Sequence, residues 1–244
     1  MKTLGAKELL NVWENSRGKP LIEKTIDLLY ASDPGDTDPA TLSIGERDVR
    51  LFHLRKRMFG TVLLNVADCP HCHEHIEWVS HVDDLVSSNK ENTSSPASYI
   101  LDAEGYLIRF RLPNSYDMIR VSSDQVYQSD PKKLFSDCII DIKRDEENCN
   151  IEELPVEILD ELDRRMAEQD PQADVSMLLN CPACSYSWEI PFDITSYLWL
   201  EIDSWAKHLL REVAVLASVF HWSESDILNL SAERRKLYLE MIKT

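Results

Sequence analysis

No stretch of the chain approaches the ~18 uninterrupted apolar residues that a membrane-spanning helix needs. The opening segment MKTLGAKELLNVWENSRGK has no apolar core ahead of a small-residue cleavage site, so a secretory signal is not expected and a cytoplasmic location is. Basic residues are scarce as well. Lys and Arg number 26 against 43 Asp and Glu, a formal charge of −17. Such a balance argues against charge-driven binding to nucleic-acid phosphates or to an anionic membrane, and neither is expected as a partner.

What is present reads as an ordinary globular chain, 43% hydrophobic and 28% charged over 244 residues, long enough for one large domain or two small ones. The acidic excess is uneven. Residues 141–174 hold 13 acidic and 4 basic side chains, a local balance of −9. This suits a solvated acidic helix with its loops, or a docking face for a basic partner. Six cysteines are the other notable feature. In a reducing compartment, paired cysteines serve metals or catalysis more often than disulfides. Four of them form two CxxC pairs, whereas Cys138 and Cys149 stand apart and are read as reduced thiols without a role.

Five segments follow from the patterning. Residues 1–60 carry apolar residues at helical spacing, and a third helix opens with the capping signature Ser43-Ile44-Gly45-Glu46. Along that helix Arg47, Arg50, Arg55, Lys56 and Arg57 read as a solvated basic strip. Residues 61–86 contain CPHC and residues 175–195 contain CPAC, and the two stretches form an internal repeat. Each has an apolar lead-in, a CPxC turn and alternating residues, with a glutamate eight positions after the first cysteine (Glu77 and Glu189). Strand, tight turn, strand is the expected form. Residues 87–174 are an insertion: a polar linker at 87–98, a hairpin turning at residues 102–105, then helices that include one near residues 154–166. Residues 196–244 begin with a long amphipathic helix and end with two short helices opened by Ser223 and Ser231.

Three chemistries compete for the cysteines. A thioredoxin-like thiol oxidoreductase needs its CxxC at a helix N-terminus, where the dipole stabilises a thiolate. Here strand-like alternation follows each pair, and no βαβ pattern surrounds either. A zinc deaminase needs His-x-Glu followed by Pro-Cys-x-x-Cys, but the second pair carries its proline inside, and Cys69 and Cys72 would be idle. A closed zinc site uses Cys69, Cys72, Cys181 and Cys184 together, two thiolates from each turn. The 108 residues between the pairs are no obstacle, because loop-closure cost grows only logarithmically. His71, His73 and His75 are expected to be exposed. The expected fold class is α+β: a zinc-ribbon-like pair of β-knuckles with a long insertion, flanked by N- and C-terminal helices, with zinc as structural cofactor.

The tail LWLEIDSWAKHLLREVAVLASVFHWSESDILNLSAERRKLYL, residues 198–239, resembles the end of the T4-like phage baseplate hub assembly chaperone family, whose members also occur in bacterial contractile injection system loci. LSIGERD at residues 42–48, Arg111-Leu112-Pro113 with Asp117, Asp170-Pro171 and both CPxC turns are similar to the same family in the same order. Residues 1–41 offer no such resemblance. The resemblance implies a non-enzymatic protein of the bacterial or phage-infected cytoplasm that helps build a baseplate hub, with hub or spike proteins as partners. Trp222, Arg234, Arg235 and Tyr238 are the candidate contact residues, since Trp and Arg are favoured interface anchors. A helix-turn-helix DNA-binding regulator is the rival reading of the tail, resting on a local charge of +2 from four basic and two acidic residues at 231–244.

Overall fold

The computed structural model describes residues 1–35, 37–86, 96–124, 132–145 and 147–242. The polar linker expected at residues 87–98 therefore falls largely outside the described residues. The chain divides into two units, residues 36–193 and residues 1–35 with 194–244.

In the larger unit α3 (Ile44–Phe59) starts where its capping signature lies, with the Ser43 side chain accepting a hydrogen bond from the Glu46 N–H at 3.2 Å. The helix ends at Gly60, whose φ of 89° costs glycine little. Asp170 Oδ2 accepts a hydrogen bond from the Gly45 N–H at 2.8 Å, so a carboxylate sits against the positive end of the helix. A Cβ on residue 45 would lie 2.1 Å from Asp170 Oδ1. Close approach is thus the reason for glycine here. Gly45→Ala should cost roughly 1–3 kcal/mol through overpacking, and an unchanged urea midpoint would refute this.

The basic strip expected on α3 is corrected by burial. Arg47 is buried and paired with Asp48 at 2.7 Å, and Arg55 is buried and donates to the Gly60 carbonyl at 2.8 Å. Helical spacing assigned these side chains to a face without showing that other elements cover it. Burial, offset in part by Arg47, pushes the Asp48 carboxyl up to about 6.

The insertion forms an antiparallel sheet in the order β3 (Tyr99–Ala103), β4 (Tyr106–Phe110), β5 (Ile139–Arg144), β6 (Glu147–Asn148). Its first hairpin turns at Glu104 and Gly105, both at positive φ (49° and 83°), as a tight two-residue turn requires. Strand β4 alternates, burying Tyr106, Ile108 and Phe110. Against them packs α7 (Val156–Gln169), amphipathic, with Ile158, Leu159, Leu162 and Met166 in the same core. The sequence reading missed β5 and β6. It placed the start of the acidic segment in a helix and loops, whereas Asp141 and Lys143 lie on a strand paired with β4.

The smaller unit holds α1 (Ala6–Asn15), α2 (Leu21–Ser32), α8 (Ile194–Phe220), α9 (Glu224–Leu228) and α10 (Ala232–Ile242). The 27-residue α8 carries the expected stripe, with Leu198, Ile202, Ala206, Leu209, Val213 and Leu216 buried. Leu10 of α1 and Ile227 and Leu228 of α9 join that core. Ser223 caps α9 and Ser231 caps α10. Among the described residues no helix is long and apolar enough to cross a membrane.

Candidate metal centre

Two antiparallel hairpins build the site: β1 (Val62–Asp68) with β2 (His75–His81), and β7 (Ser176–Asn180) with β8 (Ser187–Pro191). The last pair of the first hairpin is Asp68 with His75, and of the second Asn180 with Ser187. Each loop therefore spans six residues and begins at a cysteine. The main-chain bonds repeat too. Cys69 N–H donates to the Glu74 carbonyl and His73 N–H to the Cys69 carbonyl, each at 2.9 Å. Cys181 N–H and Ser185 N–H make the equivalent bonds to Tyr186 and Cys181, again at 2.9 Å. To close the turn, the residue after each second cysteine takes a left-handed conformation: His73 at φ 60° and Ser185 at φ 59°. The repeat legible in the sequence is thus a repeat of backbone geometry. Glu77 and Glu189 are exposed at matching places, opposite Val66 and Leu178.

The two loops face each other. Cys69 Sγ lies 3.7 Å from Cys184 Sγ, and Cys72 Sγ lies 3.5 Å from Cys181 Sγ. All four sulfurs are within 4.8 Å of one another, and none is in a disulfide. Four sulfurs each ~2.3 Å from one tetrahedral ion would be spaced about 3.8 Å apart. The two cross-loop pairs, at 3.7 and 3.5 Å, lie near that spacing. Cys69 and Cys181 are buried, Cys184 is half-buried and Cys72 is exposed. Burial raises the Cys69 thiol, but the N–H groups of Cys72 and His71 and the neighbouring thiols of Cys72 and Cys181 outweigh it and bring it down to about 7. Cys72 is helped toward ionisation by the Glu74 N–H, yet Cys184, burial and the other two thiols push it up to about 12. Four thiols this close resist losing all their protons unless a cation joins them.

His71, His73 and His75 are exposed, as expected. His75 Nδ1 lies 2.9 Å from Asp68 Oδ1, which raises the His75 pKa. His71 stacks on Tyr186 across the two loops, with centroids 5.5 Å apart. The sequence reading did not single out Tyr186; its signal was its place two residues after Cys184, the counterpart of Glu74. Cys138 is buried, its thiol pushed up to about 12 by burial and by Asp117, and Cys149 bonds Glu153 at 3.3 Å. Neither belongs to the four-sulfur group.

The candidate contact residues of the tail prove to be largely occupied within the smaller unit. Trp222 stacks on Phe220 at 4.7 Å and meets Tyr238 edge-on at 4.9 Å. Arg235 is buried, held by Glu212 at 3.0 Å and by the Leu230 carbonyl at 2.8 Å. Arg234 is exposed and lies over the Tyr238 ring.

Comparison with curated proteins and with solved structures finds no match. A family model described as T4 bacteriophage base plate protein matches residues 3–198. The match takes in both hairpins and the insertion, and also residues 3–41, for which the sequence reading offered no relative. It ends where the C-terminal tail begins, so the tail resemblance lies outside it. Since 196 of the 244 residues are matched (198 − 3 + 1), the chain belongs to the family of T4 bacteriophage base plate proteins.

Proposed function

We propose that Cys69, Cys72, Cys181 and Cys184 hold one structural zinc, and that the chain is a non-enzymatic assembly chaperone for, or component of, the baseplate hub of a contractile tail or tail-like injection system. The family match over residues 3–198 carries the baseplate part of this reading. The spacing of the four sulfurs supports the zinc part, since zinc accepts a tetrahedral thiolate shell without geometric preference of its own. A shell filled by four thiolates leaves no open position for a reacting water, which favours a structural over a catalytic ion. Partner binding is supported by the apolar outer face of the first hairpin, where Val62, Val66 and Val79 are exposed. Against an oxidoreductase stand the strands β2 and β8, which follow the CPxC turns where that chemistry needs a helix.

Co-expression with baseplate hub and spike proteins, followed by affinity purification and metal analysis, tests both parts. A hub or spike subunit should be retained together with zinc. Reduction of insulin disulfides by the purified chain would instead restore the thiol oxidoreductase, and no retained hub or spike subunit would remove the hub.

A further inference from the structure

Helix α8 places Trp199, Asp203 and Lys207 four residues apart on one face. Trp13 of α1, Arg17 and Gly18 of the following turn, and Lys24 of α2 complete the lining of a cavity of about 220 Å³ within the smaller unit. Asp203 organises its wall. Lys207 donates to Asp203 Oδ2 at 2.6 Å and the Trp13 indole N–H to Oδ1 at 3.0 Å. These two bonds, Lys207 first, hold the Asp203 carboxyl below its ordinary value.

The other two cations make no hydrogen bond to Asp203, although the charge of Lys24 also favours the ionised form of that carboxyl. Arg17 lies over the Trp13 ring at 5.5 Å and Lys24 over the Trp199 ring at 5.2 Å, and among the described residues neither is ion-paired. Three cations and one carboxylate give the lining a charge of +2 in a chain that sums to −17. A basic recess in so acidic a protein, its cations held over indole rings, matches an anion. The size narrows the choice. Pockets for drug-sized molecules run to roughly 300–1,000 Å³, so this one suits a single amino-acid side chain better than a nucleotide.

We infer that the Trp13–Trp199 cavity seats an acidic side chain of a partner baseplate protein, its carboxylate on Arg17 and Lys24. The partner's identity as a baseplate protein rests on the function proposed above; the carboxylate chemistry rests on the cavity alone. Trp and Arg, the favoured anchors of protein interfaces, thus also meet at the α1–α2 turn, where Arg17 is exposed and Trp13 half-buried.

The test is a titration of the full chain with acetyl-Glu-Phe-amide, followed by the indole N–H resonances of Trp13 and Trp199, assigned with Trp→Phe variants. Both resonances should move saturably. Acetyl-Gln-Phe-amide should bind at least about tenfold more weakly, as should the Glu peptide to an Arg17→Gln/Lys24→Gln variant whose amide spectrum is otherwise native. Equal binding of the Gln peptide, undiminished binding to the variant, absence of shifts, or adenosine monophosphate binding as tightly as the Glu peptide would each overturn the inference. Failure of the hub to co-purify would leave the peptide result standing, and peptide failure would leave the hub complex standing, so the two readings fail separately.

Discussion

Purified from zinc-supplied cells, the chain should carry one zinc per molecule by mass spectrometry, and a strong chelator at neutral pH should unfold the larger unit. The expected effect is large for a physical reason. Structural zinc contributes on the order of 10–16 kcal/mol in small thiolate sites, as much as or more than the ~5–15 kcal/mol that holds a whole domain together. The two hairpins that carry the thiols have only two strands each, a size that is marginal in water without further support. Cys181→Ser, which removes a buried sulfur, should mimic the chelator. Backbone amide spectra and thermal melts with and without chelator check both expectations. A metal-free chain with a native spectrum, or a melting temperature indifferent to chelation, would end the zinc proposal.

Asp117→Ala should be the most damaging change away from the cysteines, at roughly 3–5 kcal/mol, because it strips the partner from a buried charge network. The Asp117 side chain has no solvent exposure. It receives Arg111 through both guanidinium nitrogens at 2.6 and 2.8 Å, Arg120 at 3.1 Å, and the Asn114 N–H at 2.9 Å. Arg111 goes on to the carbonyls of Leu112 and Asp137. This joins the N-terminus of α5 (Ser115–Ser123) to the end of α6 (Lys132–Cys138), and the Pro113 carbonyl in turn accepts from the Ile44 N–H at the start of α3. Arg120→Ala is the matching control. Its side chain is 48% exposed and its loss leaves Arg111 on Asp117, so at most ~1 kcal/mol is expected. Urea denaturation of both variants decides the matter: equal losses would show that Asp117 is not the hub of the network.

Local signals in this sequence translated well into structure. The capping serines 43, 223 and 231, the turn at Glu104-Gly105 and the apolar stripe of α8 each depend on residues within a few positions, and each is found where the pattern lies. The cysteine quartet was legible for a different reason: two similar segments betrayed a shared geometry despite their separation. What failed to show was anything decided by distant neighbours without such a repeat. Arg47 and Arg55 carry charge that composition assigns to water, yet other elements cover them. Strand β5 is short and runs into acidic residues, so its pairing with β4 outweighs a weak local preference. Trp222 and Arg235, candidate partner contacts by type, also make contacts inside the smaller unit that no local pattern announces. The cavity at Trp13 depends on a hydrogen bond between residues 190 positions apart, and no window of sequence contains it.

The separation of the two CPxC turns also governs the order of events during synthesis. Cys69 and Cys72 leave the ribosome while Cys181 and Cys184 are still untranslated, and at ~5–20 residues per second the 112 residues from Cys72 to Cys184 take about 6–22 s. For that interval the nascent chain displays half of the proposed shell: two thiols without their partners, open to oxidation or to capture of an ion by a foreign ligand pair. If the proposed zinc shell forms, its closure comes late, so a ribosome stalled or a chain truncated before residue 184 yields a product that cannot complete it.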